Sequence, residues 1–569
     1  MRFFVTASTA KKNIPIFVIL ATALLVRLIG IGFGQPLWVV GDEPSFIFGA
    51  LKMIELRTIL PSLHDTVFMG LLYYPPFLCY IEILPFLLLI GAKFLFFNGT
   101  IGDFKNYLLI DLTDFFILAR CISVAIGCAT VWLVYKIGKN IFKNEIVGLA
   151  SASFLTLSLL HVNFSHWARH WTFSTFFFAL IICILSSESS ELSRRYRSVV
   201  LFCALGVGIT LPIIILSLFI AMWFLYYERA SLRAHIRKVW FWQALIGAIL
   251  LIAAAYSAWP RGFYVAHNAT HNSFLAGKTF IDFFRSYSFY AVGLIRGEPV
   301  MSIFGLIGCL YGIKNFRKYI ISSVLFIFIY IAIFYLFFLQ TDRFILILYP
   351  LFTTIAGYGF AMVVKYGLKY SRQLTYFLIG ILVILQGFFM IKFDYLLAID
   401  DTRVQAREWI EENIPEKSKI VVLTSLMRLP STADAIQEQG YIDSASLRSI
   451  DRAEAELSDS FFKEKRYHAL NLNSVNSSTL YRELDTYIFD HKYEYIVYSS
   501  EFAAEKGVTE SLLQMLGSPL KTFTGYKSPA SHVDSIVNGF GGGIMEVLKS
   551  HSIGPTVTVY KLDTRKSKE

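Results

Sequence analysis

Two adjacent carboxylates, Asp42 and Glu43, stand in the run Gly41-Asp42-Glu43-Pro44, just beyond the first long apolar segment. Low-dielectric surroundings disfavour the charged form of a carboxyl group, so a pair at a membrane boundary is costly without partners or a task. The task such a pair can perform is general acid–base chemistry, in which an ionised carboxylate takes the proton of a hydroxyl within hydrogen-bond reach. Asp42 and Glu43 are therefore the candidate catalytic residues. A plainer reading makes Asp42 the N-cap of an amphipathic helix with Pro44 in its first turn. That reading accounts for Asp42 and leaves Glu43 unexplained, and the two are compatible.

The surroundings of the pair follow from composition. A mean hydropathy of +0.56, with 55% hydrophobic and 16% charged residues over 569, excludes a soluble globule, where charged residues approach a quarter of the chain. The chain reads as a polytopic α-helical membrane protein. Its net charge of +11 does not point to nucleic acid, because the basic residues fall in short clusters between apolar runs, as cytoplasmic loops do. The clusters are Lys11-Lys12, Lys136 to Lys143, Arg194 to Arg197, Arg229 to Lys238, Lys314 to Lys318 and Lys365 to Arg372. The six cysteines all lie in apolar stretches and read as small core residues, neither a disulfide framework nor a metal site. The first apolar run lacks a small-residue cleavage site and reads as a retained signal anchor.

Spans of about 20 apolar residues are expected at 14–33, 115–135, 145–161, 171–187, 239–258, 319–339, 344–364 and 374–392. Residues 198–227 begin and end beside basic clusters and should cross twice, breaking at Leu211-Pro212, and parity asks for a crossing at 299–313. With the N-terminus inside, about 11 crossings alternate consistently, in a fold of about 11–13 helices. Residues 34–114, 162–170, 259–298, 340–343 and everything after 393 then lie outside. Residues 71–97 resist this scheme: Tyr74-Pro75-Pro76 and Pro85 interrupt an apolar stretch whose two flanks belong on one side, so a broken or re-entrant element is expected.

From Asp400 charged residues become frequent and apolar runs shorten. Residues 403–413 read as an amphipathic helix ended by Ile414-Pro415, residues 420–423, 493–498 and 556–562 as strands, and Gly539 to Gly543 as a flexible loop without phosphate-binding spacing. Two domains result: a transmembrane catalytic domain over 1–395 with its outer loop 34–114, and an extracytoplasmic α/β domain over 396–569.

The order of these features resembles the GT-C glycosyltransferases, most closely the bacterial family 39 enzymes related to protein O-mannosyltransferases and to the transferases that place aminoarabinose on lipid A. The resemblance is carried by Gly41-Asp42-Glu43, by Tyr73-Tyr74-Pro75-Pro76, by Asp342-Arg343-Phe344 with Pro350, and by Asp401-Thr402-Arg403 leading into Ala406-Arg407-Glu408-Trp409-Ile410. It implies hexosyl or pentosyl transfer from a polyprenyl-phosphate-linked sugar donor to a lipid, glycan or protein acceptor, outside the cytoplasmic face of a bacterial or archaeal plasma membrane. Asp42 matches the family's catalytic position and Glu43 its neighbour, and Tyr74 falls in the matching Tyr-Pro-Pro segment. A lipid phosphate at the membrane edge favours arginine, whose fork fits phosphate oxygens, which makes Arg343 the first candidate for holding it. Snorkelling of Arg343 to lipid headgroups is the alternative.

The sequence departs from the family in two places. Ser165-His166-Trp167-Ala168-Arg169-His170-Trp171 stands where relatives often carry a further Asp, and Thr210-Leu211-Pro212 where they often show Thr-Lys-Gly. His166, Arg169 and His170 can replace the lost groups as hydrogen-bond donors to substrate, or serve as interfacial residues. His267-x-x-x-His271 has the spacing of two ligands on one helix face, but Asn268-Ala269-Thr270 suits a helix poorly and no metal is assigned. Some GT-C enzymes use a divalent cation near the Asp-Glu loop, so one remains possible as a cofactor. Two other classes stay open: a polytopic lipid or sugar transporter or flippase, against which the absence of paired repeats counts, and a scaffold, for which so many spans are unneeded. The 52 Phe and 31 Tyr lie mostly in or at the ends of spans, where packing and interfacial belts account for them.

Overall fold

The computed structural model describes residues 7–187, 191–229, 236–262, 279–337, 341–457, 462, 464–508, 512, 516–525 and 543–562. Six stretches among them are long and apolar enough to cross a membrane: Phe77–Leu95, Thr113–Phe142, Val239–Ala258, Arg317–Phe337, Asp342–Tyr370 and Arg372–Asn413. Two bent pairs join them, Glu145–Thr156 with Leu159–Ser165 at 62° and Phe280–Gly297 with Pro299–Asn315 at 117°, together with the shorter apolar helices Ile14–Leu28, His170–Leu185 and Leu211–Tyr227. Every span read from the sequence has a helix within a few residues of it. The chain is a polytopic helical membrane protein with an α/β region at its C-terminal end.

The interruptions have local causes. Leu192–Val207 stops before Leu211-Pro212, and the chain passes through a 3-10 turn at Leu211–Ile215 before Leu216–Tyr227, because Pro212 brings no N–H to a continuing helix. The 62° bend is held by Arg27, a fully buried side chain of the first helix that donates to the carbonyls of Leu155 and Thr156 at 3.1 and 3.4 Å. These are C-terminal carbonyls that an α-helix leaves without partners. Arg27 also meets His161 Nδ1 at 2.8 Å, and Ser158 caps the next helix by accepting from the His161 N–H. Close approach here needs Gly127, since a Cβ at that position would lie 2.6 Å from Ser165 Oγ and 3.2 Å from Arg27 Nε.

Two expectations need correction. Residues 71–97 do not contain a broken helix: Phe77–Leu95 is continuous, with Pro75 and Pro76 before its first turn and Pro85 accommodated inside. Its ends nevertheless lie at one end of the helical bundle. Phe77 packs against Gly208, past the C-terminus of Leu192–Val207, while Lys93 pairs with Asp114 in the first turn of Thr113–Phe142 at 2.5 Å. Secondly, the loop expected over 259–298 contains the helix Phe280–Gly297, opened by a capping box between Thr279 and Asp282. Polar residues at 282, 285 and 286 on one face hid it from a search for uniformly apolar runs.

The C-terminal region is built on a five-stranded sheet in the order β2-β1-β3-β5-β4, where β1 is Lys419–Leu423, β2 His468–Asn471, β3 Tyr495–Tyr498, β4 Leu516–Phe523 and β5 Val557–Leu562. β2, β1 and β3 are parallel; β5 pairs antiparallel with β3, and β4 antiparallel with β5. Both faces are covered, so β1 is apolar at every central position: Val421 and Leu423 pack on one side with Leu470 and Ile496, Ile420 and Val422 on the other with Ala469 and Val497. The helix Thr402–Asn413, capped by Asp401, and the strands at 419–423, 495–498 and 557–562 lie where the sequence puts them. Of the Gly539–Gly543 loop only Gly543 is among the described residues, and His267 and His271 fall outside them.

Candidate active site

The turn that precedes the helix Glu43–Glu55 sends its two carboxylates in different directions. Asp42 has a left-handed backbone, φ 70°, which is uncommon for a residue with a side chain and recurs where structure is held for function. It occupies the N-cap position, yet its side chain makes no capping bond. Its Oδ2 lies 2.5 Å from Arg169 Nη2 and accepts from the Tyr74 hydroxyl at 3.3 Å. Helix capping is thus not what Asp42 does.

Glu43 turns inward and is fully buried. Arg120 grips it with two parallel bonds, Nε to Oε1 at 2.9 Å and Nη2 to Oε2 at 2.7 Å, and the Ala168 N–H donates to Oε1 at 2.8 Å. The remaining nitrogen of Arg120 donates to the carbonyls of Ile31 and Phe33, each at 2.8 Å, and its guanidinium lies 5.2 Å from the Trp167 ring. A buried ion pair survives only when its spare donors and lone pairs are met, as they are here. The pair ties three parts of the chain together: residues 31–33, the Asp42 turn and residues 167–168.

Around Asp42 the polar groups are far less satisfied. Arg169 is 1% exposed, and neither its Nε nor its Nη1 has a hydrogen-bond partner. Arg343, at the start of the 3-10 turn Asp342–Leu348, lies over the rings of Trp171 and Phe344 at 5.8 and 5.7 Å, close enough to Asp42 and Arg169 to act on both by charge, and its Nε is buried and unpartnered. His170 Nδ1 and Trp171 Nε1 are in the same condition. The His170 ring packs 4.7 Å from Tyr74, which stacks on Phe46 at 5.0 Å. Buried guanidinium N–H groups without acceptors are costly, so their gathering beside one carboxylate describes a surface shaped for an oxyanion.

Charge sets the state of Asp42. Burial pushes its carboxyl pKa up, but the nearby charges of Arg169, His170 and Arg343 and the Arg169 hydrogen bond outweigh it, and the net shift is downward. Asp42 is ionised at neutral pH, and its side chain is 37% exposed, so a substrate can reach it. Tyr74 is pushed up to about 12, by burial first and then by the charge of Asp42, and stays a proton donor. A divalent cation does not fit here: Asp42 is one carboxylate facing two guanidiniums, and Glu43 is already neutralised by Arg120. Among the described residues no three metal-ligating side chains converge.

Of the residues singled out from the sequence, Asp42, Tyr74, Arg169, His170 and Arg343 are brought together, and Glu43 lies beneath them. His166 is not part of this group; its ring nitrogens face the carbonyls of Val162 and Ile29 at 2.8 and 2.7 Å, inside the protein. Arg120 was not expected. Its signal was present, since it is an arginine within the apolar run 115–135, and a charge at such a place needs a partner.

No family model matches the sequence, and no curated protein matches it. Among solved structures the chain is similar to ArnT from Cupriavidus metallidurans bound to undecaprenyl phosphate, at 12% identity over 70% of this chain and 73% of that one, with a TM-score of 0.45. The apo state of the same protein gives 13% identity over 70% and 67%, with a TM-score of 0.41. The archaeal oligosaccharyltransferase AglB from Archaeoglobus fulgidus, in complex with an inhibitory peptide and a dolichol-phosphate, gives 11% identity over 90% and 73%, with a TM-score of 0.42. At these identities the likeness is one of helix arrangement and says nothing of chemistry.

Proposed function

We propose that this protein is an integral-membrane glycosyltransferase of the GT-C type, moving a sugar from a polyprenyl-phosphate carrier to an acceptor hydroxyl on the extracytoplasmic side. The observation that carries this reading is the meeting of an ionised, reachable carboxylate with two arginines whose buried N–H groups have no acceptor. Asp42 takes the proton of the acceptor hydroxyl as its oxygen attacks the anomeric carbon. The bond from that carbon to the phosphate oxygen breaks, and its electron pair stays on the phosphate, where Arg169 and Arg343 meet the growing charge. Arg169 is shared: as the phosphate draws its charge, the downward pull on Asp42 weakens and the carboxylate becomes a better base. Tyr74 orients Asp42, and His170 and Trp171 offer further donors at the same surface. Glu43 acts as a positioning residue through Arg120 and Ala168.

The catalytic domain in this reading is residues 1–395 and the outer α/β domain residues 396–569. The test is direct. Purified protein in lipid nanodiscs is given polyprenyl-phosphate sugars and an envelope lipid and glycan extract, and products are followed by mass spectrometry beside Asp42→Asn. A sugar-sized mass increment made by the wild type and lost in the variant supports the reading; equal products from both refute it.

A further inference from the structure

A cavity of about 820 Å³ lies between the loop that leads to Asp42 and the C-terminal α/β region, within the size range of small-molecule sites. Gln35, Trp38, Tyr107 and Thr113 form one wall; Arg428, Arg448 and Asp451 belong to the other. Three guanidiniums and four carboxylates line it, and each of the guanidiniums is paired with a carboxylate. Arg428 donates both terminal nitrogens to Asp451 at 2.9 Å, Arg448 approaches the same carboxylate at 3.4 Å, and Arg407 is tied to Glu411 and Glu464. A strongly charged ligand would have to break these pairs. A neutral one finds fixed N–H donors beside fixed oxygen acceptors, which matches a hydroxyl group, at once a donor and an acceptor.

Gln35 carries this further. Both heteroatoms of its amide are buried and unpartnered, although a primary amide ordinarily meets several hydrogen-bonding groups. Beside it Trp38, itself in a left-handed conformation, stacks nearly parallel on the Phe116 ring 5.3 Å away and meets the Arg448 guanidinium at 4.9 Å. Trp38 and Asp42 are four residues apart, a distance the chain spans in at most about 14 Å.

We infer that this cavity holds a neutral, hydroxyl-rich oligosaccharide, and that this glycan is the acceptor whose terminal hydroxyl is presented to Asp42. The inference rests on the glycosyl-transfer reading for the second half of that statement only. Gln35 supplies an amide donor and acceptor to one sugar unit, and the ion-paired arginines and Asp451 supply theirs to another.

The full-length protein in nanodiscs is titrated, without donor, with linear hexasaccharides of mannose, glucose, galactose and N-acetylglucosamine in turn, and with a hyaluronan hexasaccharide as the acidic comparison, binding being read by saturation-transfer NMR. At least one neutral probe should bind; Gln35→Leu and Thr113→Trp, on separate elements, should each weaken it about tenfold or more. Binding of none of the neutral probes, of the acidic probe alone, or equally to wild type and both variants overturns the proposal. Binding without any transfer from a lipid-linked donor leaves the cavity standing and removes the glycosyl-transfer reading; transfer without binding does the reverse.

Discussion

Arg169 meets Asp42 at 2.5 Å, and one residue back from Arg169 the Ala168 N–H meets Glu43, one residue on from Asp42, at 2.8 Å. Two consecutive residues of one turn thus hold two consecutive residues of another. The inner contact is sealed by Arg120, while the outer is open to solvent and surrounded by unpartnered donors. The same pairing that fixes the backbone presents the reactive carboxylate, which is how two adjacent acids of one type come to do different things.

Asp42→Asn keeps the size of the side chain and removes the proton acceptor. Turnover with a defined lipid-linked donor should fall by a hundredfold or more, the usual scale of general-base catalysis, about 10² to 10⁴. A folded, membrane-inserted Asp42→Asn protein with wild-type turnover would remove Asp42 from the mechanism.

Arg343 should act on the donor. Charge-assisted hydrogen bonds contribute about 1.5–3 kcal/mol, so Arg343→Ala should cost about tenfold to a hundredfold in kcat/KM for the lipid donor. Arg343→Lys should recover only part of this, since lysine keeps the charge and loses the fork. Donor kinetics unchanged in the Ala variant would return Arg343 to a headgroup anchor.

Much of this was legible in the sequence, for reasons that can be named. The Asp42-Glu43 pair and Arg343 stood out because charge beside apolar runs is expensive, and the spans and the strands at 420–423 and 556–562 because their periodicity is strong. The division of labour between Asp42 and Glu43 was not legible, because it depends on which way each side chain leaves the turn. Arg120 went unnoticed inside a run scored only for hydropathy. His166 shares its motif with Arg169 and His170, but it is the C-cap of the helix Leu159–Ser165, and its ring faces the carbonyls of Val162 and Ile29. Tyr74-Pro75-Pro76 and Pro85 suggest a broken or re-entrant element over 71–97, but the first two prolines precede the helix Phe77–Leu95, and one proline inside a helix already committed on both flanks kinks it at most.

The Glu43–Arg120 pair should be a stability element first. Removing one partner of a buried ion pair leaves an uncompensated charge and costs about 3–5 kcal/mol. Glu43→Ala should lower the thermal unfolding temperature markedly and free the carbonyl contacts at Ile31 and Phe33, whereas Asp42→Asn, at a partly exposed carboxylate, should lower it less. Equal unfolding temperatures for Glu43→Ala and wild type would show that the pair does not hold the turn.

Sidedness can be read by chemical labelling. In a background lacking the six native cysteines, Ser500→Cys should react with a membrane-impermeant thiol reagent in intact cells, and Tyr370→Cys, at a position 90% exposed beside the basic cluster 365–372, should not. Labelling at 370 alone would invert the topology and place Asp42 on the cytoplasmic side.

The acid side of the pH profile tests the coupling between Asp42 and its arginines. The carboxyl is held below its ordinary value of 3.8, because the charges of Arg169, His170 and Arg343 and the Arg169 hydrogen bond outweigh the opposing effect of burial. A base is active when deprotonated, so kcat/KM, which reports the free enzyme, should stay level as pH falls through the usual carboxylate range and drop only below it. The stabilisation that the ionised group gives the fold runs the same way, complete above the unfolded-state pKa and lost as pH falls through the lowered one. Arg169→Gln removes the strongest of the opposing charges and leaves burial to dominate, so the acid limb should move to higher pH; Arg343→Gln should move it in the same direction by less. If the limb stays in place in Arg169→Gln while the overall rate falls, the titrating base is another group, and Arg169 serves the phosphate alone.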